Sequence, residues 1–91
     1  MIILFQTKIV DEINLYENEI NISLVKVINE FIKDYSDCLV LASAIQIQQE
    51  REQFLFVTGD KHFSEGSYDF IKEDPRTEKY KKPILKNLFY E

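Results

Sequence analysis

The segment that most constrains this chain is Phe54-Leu55-Phe56-Val57-Thr58. Aromatic and β-branched residues run through it almost without a polar interruption, the pattern of a strand buried on both faces. Strands of that kind belong to parallel sheets covered by helices, so the segment predicts a three-layer α/β fold with a short, mostly parallel sheet flanked by helices. Gly59-Asp60 ends the strand.

The flanking segments agree. From Ile22, the apolar residues Leu24, Val25, Ile28, Phe31, Ile32 and Tyr35 recur at intervals of three and four, predicting an amphipathic helix with a wide buried face. Asp34-Tyr35-Ser36-Asp37 has the form of a capping signal, and a second helical pattern follows in Val40, Leu41, Ala44, Ile45 and Ile47. A break near residue 35 therefore separates two helices, and the polar run Gln46 to Gln53 is expected to end the second one in water. At the start of the chain, Ile2 to Phe5 reads as a strand, Lys8 to Ile13 as a short helix and Asn14 to Asn21 as a frayed end and loop. After a turn at Asp74-Pro75, residues Ile84 to Tyr90 are expected to form a short helix, with Pro83 in its first turn.

The chain has 91 residues, 45% of them apolar, 30% charged, with two Gly and two Pro, which describes one small globular domain without low-complexity segments. The single cysteine, Cys38, permits no internal disulfide and suits a reducing cytoplasm. One cysteine beside one histidine does not build a zinc site. The opening residues have no basic n-region and are too short for a signal or a membrane span, so neither secretion nor membrane insertion is expected. A net charge of −5 works against unaided binding to RNA. Positive charge gathers late, at Arg76, Lys79, Lys81, Lys82 and Lys86, which makes that stretch a candidate RNA-facing or partner-facing surface, or else a solvated tail of mixed charge.

Two elements carry the residues with chemical potential. In the first, Asp37 opens a helix whose Ala42, Ser43 and Ala44 permit close packing. In the second, Asp60 follows the C-terminal end of a buried strand, the edge at which open α/β sheets bind ligands. If the helix start lies beside that edge, the two carboxylates converge, and a divalent cation is the usual remedy for their repulsion. Mg²⁺ or Mn²⁺ would take such hard oxygen ligands and activate a water toward a phosphodiester.

The order Asp37-Cys38-Leu39-Val40-Leu41-Ala42-Ser43-Ala44, then an apolar strand, then Thr58-Gly59-Asp60-Lys61-His62-Phe63, resembles the second half of a PIN domain, the metal-dependent ribonuclease fold. The match spans roughly residues 24 to 63. The resemblance implies that Asp37 and Asp60 belong to an acidic cluster holding Mg²⁺ or Mn²⁺ for RNA cleavage, as in toxin-type or RNA-processing hydrolases, and that Thr58 orients a ligand or a water. It also implies a first aspartate directly after the first strand, whereas Ile2 to Phe5 is followed here by Gln6 and Thr7. Glu12, in Val10-Asp11-Glu12-Ile13, partly matches the family's glutamate and stands as a fourth ligand, closer to Asp37 than the family places it. The expectation is a single PIN-like domain over residues 1–91 that lacks the first strand with its aspartate and is incomplete as a catalyst. A neighbouring strand edge bared in that way would be covered by a second copy or by a complementing protein chain.

Each residue also has an ordinary role. Asp37 caps its helix, Asp60 is a turn and N-cap residue after Gly59, and Glu12 is a solvated helix acid. His62 reads as a surface histidine at a position that is not catalytic in the family, and Ser43 and Cys38 have no base at a recognisable spacing. Two further readings of the whole stay open: an inactive PIN-like remnant serving as an interaction module, and an unrelated small α/β protein.

Overall fold

The computed structural model describes residues 2–10 and 20–89. Strand β1 (Ile2–Phe5) runs into helical residues 6–10, and two helices follow, α1 (Ile22–Asn29) and α2 (Tyr35–Glu50). Strand β2 (Phe54–Thr58) leads through a 3-10 turn (Lys61–Phe63) to α3 (Glu65–Glu73), and a second 3-10 turn (Pro75–Thr77) precedes β3 (Ile84–Asn87). The architecture is a small α/β fold. Among the described residues the three strands are parallel, in the order β1-β2-β3, with Leu4 and Leu85 both in register with Phe56.

As the central strand, β2 satisfies its backbone on both sides, and its alternate side chains divide the core. Phe54 and Phe56 are fully buried in a cluster with Leu4, Val25 and Ile28 of α1, Leu41 and Ile45 of α2, and Tyr68 and Ile71 of α3. On the opposite face Val57 is buried, while its neighbours Ile3 and Phe5 on β1 and Ile84 on β3 are about half exposed. No helix among the described residues is long and apolar enough to cross a membrane.

Three local expectations change. The helix begun at Ile22 ends at Asn29 rather than near residue 35, because the Asn29 side chain donates to the carbonyl of Ile32 and turns the chain while Ile32 itself stays buried. Residues Ile84–Asn87 form a strand rather than a helix, since pairing along β2 outweighs the local preference that follows Pro83. The polar end of α2 is not wholly in water. Gln48 is 2% exposed, its Oε1 accepts from the Phe54 N–H at 3.1 Å and its Nε2 donates to the Arg51 carbonyl at 3.2 Å, so one side chain splices α2 to β2. Gln48→Leu removes the side-chain acceptor of the buried Phe54 N–H and is expected to cost about 1–3 kcal/mol, read as a lowered midpoint in thermal unfolding.

Candidate metal centre

The loop after β2 is fixed by its own backbone. Thr58 is buried, and its hydroxyl accepts the Asp60 N–H at 3.0 Å while donating to Oε1 of Gln6, which follows β1. From the other flank Asn87, the register partner of Thr58 on β3, donates its amide to the Asp60 carbonyl at 2.8 Å. Asp60 caps the 3-10 turn, its carboxylate accepting the His62 N–H at 2.8 Å. Gly59 packs beneath the Phe89 ring, which a Cβ would approach to 3.0 Å. Three strands thus hold one aspartate at the carboxyl end of the sheet.

The start of α2 supplies the second carboxylate. Asp34 is the N-cap, accepting from the Ser36 and Asp37 N–H groups. Asp37 lies one turn inside, relieved of the capping role, and turns its side chain across to the loop after β2. Its Oδ2 lies 2.5 Å from Nδ1 of His62, and Oδ1 of Asp60 lies 3.1 Å from the same nitrogen. His62 therefore bridges the two carboxylates. A proton on Nδ1 would be donated to these two carboxylate acceptors, whereas a bound ion would require that nitrogen bare. Asp34, Asp37 and His62 each present a ligand atom, all within 4.8 Å of one another, so the group could hold a metal ion.

Electrostatics express the same crowding. Burial pushes the Asp37 carboxyl above the ordinary aspartate value, the contact with His62 works against that, and the charges of Asp60 and Asp34 push it up again. An inward-facing carboxylate with two like charges beside it is the arrangement a divalent cation stabilises. Cys38, the next residue, offers no competing chemistry: it is buried, its thiol donates to the Ile32 carbonyl at 3.1 Å, and desolvation raises its pKa.

The structure thus brings Asp37 and Asp60 together and places Thr58 beneath Asp60, engaged with backbone and Gln6. Glu12 lies outside the described residues. Sequence reasoning passed over two members of the group. Asp34 registers in the sequence only as a cap. His62 looks like a surface residue until the Asp60 cap bends the chain, and the signal available was its position two residues beyond an N-cap aspartate, where the ring folds back over the capping carboxylate. No protein-family model matches the chain, and no curated protein and no solved structure matches it.

Proposed function

We propose that this chain is a PIN-like domain whose chemistry is hydrolysis of RNA phosphodiesters with Mg²⁺ or Mn²⁺, of the toxin or RNA-processing kind. The observation that carries the reading is the meeting of Asp37 and Asp60 on one atom of His62 at the carboxyl end of a parallel strand. The donor set fits a hard divalent ion through its carboxylates, and the imidazole among them favours Mn²⁺ over Mg²⁺. When bound, such an ion supplies Lewis acidity toward a phosphoryl oxygen and makes its water more acidic. The chain's own residues would do the rest: Asp34 and Asp37 would offer carboxylate oxygens and His62 an unprotonated ring nitrogen, Asp60 would add negative charge beside them, and Thr58 and Asn87 fix the Asp60 backbone.

The test is a titration with Ca²⁺ or Mn²⁺ followed by backbone NMR. Resonances of Asp37, Asp60 and His62 are expected to shift or broaden together at one saturable site; a spectrum unchanged at millimolar ion removes the proposal. A second reading, a non-catalytic interaction module that pairs as a homodimer or with a complementing chain, is favoured by the apolar residues Ile3, Phe5 and Ile84 exposed on one sheet face.

A further inference from the structure

We propose that Gln6 is a positioning residue of the acidic centre: by accepting the Thr58 hydroxyl proton, it fixes a chain of hydrogen bonds that runs from the end of β1 to His62. The inference deepens the hydrolase reading and rests on it for the ion that the centre would hold, while the positioning itself is read without one.

Each link has a defined direction. Thr58 is 2% exposed and its oxygen accepts the Asp60 N–H at 3.0 Å, so its one proton needs an acceptor inside the protein. Oε1 of Gln6 is that acceptor. Asp60 in turn accepts the His62 N–H at 2.8 Å, and the same Oδ1 lies 3.1 Å from the ring nitrogen that meets Asp37. Three links thus connect a side chain at the end of one strand to the imidazole of the candidate metal group.

The two sides of Asp60 are held from different flanks. Its carbonyl accepts the Asn87 amide at 2.8 Å and the Phe63 N–H at 3.2 Å, whereas its N–H goes to Thr58 and through it to Gln6. Loss of the Gln6 acceptor therefore releases one side of the aspartate while the other keeps its anchors. The turn stays folded, but the carboxylate and the imidazole beside it lose their fixed orientation. A neutral amide suits this task, because it accepts the proton without adding a further negative charge to Asp34, Asp37 and Asp60.

The experiment uses NMR on the full chain, first without divalent ions and then in a Mn²⁺ titration. Gln6→Leu is the decisive variant, since a groove of about 490 Å³ lined by Gln6 and Thr58 would let water replace a side chain cut back to alanine. Without ions, the Asp60 amide proton is expected to move upfield with a steeper temperature coefficient, the signature of a weakened hydrogen bond, and the His62 ring signals should shift. The Phe56 amide should keep its wild-type values. With Mn²⁺, the dissociation constant should rise about tenfold, the low end of the range of about 10–100-fold for residues that orient a ligand from outside. Thr58→Val should reproduce these changes, and the Gln6→Leu, Thr58→Val double variant should add nothing further, because both break one chain. Gln6→Glu, which can only accept, should keep the Asp60 amide signal of wild type. Asp60 and His62 signals unmoved in Gln6→Leu overturn the proposal, as does a Mn²⁺ affinity unchanged by that variant or a Gln6→Glu protein that loses the Asp60 bond as Gln6→Leu does. If wild type binds no Mn²⁺, the hydrolase reading alone fails, and the ion-free signals decide the role of Gln6.

Discussion

If the proposed hydrolase reading holds, Asp37→Asn and Asp60→Asn are each expected to remove any thermal stabilisation by Mn²⁺ and to lower metal-dependent RNA cleavage by about a thousandfold. The size of the first effect follows from linkage: an ion at a hundred times its dissociation constant stabilises the folded state by about 2.7 kcal/mol, and in a domain this small each kcal/mol moves the midpoint by about 4–8 °C. The second reflects the several kcal/mol a divalent ion contributes to stabilising charge in the transition state, where about 1.4 kcal/mol is a factor of ten.

Without metal the two variants part company. Folded Asp37 has a raised pKa, chiefly through burial, so it keeps its proton to a higher pH than the unfolded chain does. Stability therefore falls as pH rises from the unfolded aspartate value through the folded one, and the full cost stands at neutral pH. Asparagine carries no such cost. Metal-free Asp37→Asn should accordingly be more stable than wild type at neutral pH, with the gap closing in acid. Scanning calorimetry with and without Mn²⁺ across that pH range checks both signs. A wild-type midpoint indifferent to Mn²⁺, or an Asp37→Asn protein that melts lower at neutral pH and still responds to the ion, would refute the account of the site.

How far the site can be read in the sequence depends on how local each signal is. Asp37 and Asp60 are legible because each lies at a boundary that sequence marks well, a capped helix start and the end of an uninterrupted apolar strand. Their meeting is a product of tertiary structure, which requires β2 to run parallel to β1 and α2 to begin over its carboxyl end. His62 belongs to that tertiary level, and nothing about a histidine after Asp-Lys shows it without the turn. Asn29 and Gln48 escape for a related reason. Both are polar residues in helical patterns, and their roles come from backbone groups they satisfy, Ile32 for one and Phe54 with Arg51 for the other. β3 is ambiguous in sequence because Ile84, Leu85, Leu88 and Phe89 fit a helical spacing, whereas the burial of Asn87 at its end becomes intelligible only once its amide is seen to hold the loop after β2.

Phe56→Ala should leave the chain only marginally folded at 25 °C. Phe56 is fully buried at the centre of the central strand, with Leu4 and Leu85 beside it in register and the Phe63 ring at 5.7 Å. Truncating such a residue costs about 3–5 kcal/mol through lost burial and the cavity left behind. A domain of this size has a total stability near the low end of about 5–15 kcal/mol, so most of the margin disappears. Phe70→Ala is the matched control, because Phe70 is 63% exposed and stacks on Phe31 at the surface, and its loss should stay near 0.5 kcal/mol. A Phe56→Ala protein that melts cooperatively within a few degrees of wild type would place the core elsewhere. The milder Phe56→Leu connects packing to the site. It keeps the fold but loosens Phe63, whose N–H bonds the Asp60 carbonyl at 3.2 Å, so the turn that presents Asp60 and His62 loses its anchor. Mn²⁺ affinity should then fall even though every candidate ligand is present, because what Phe56 contributes to the centre is the rigidity of the turn and no ligand atom.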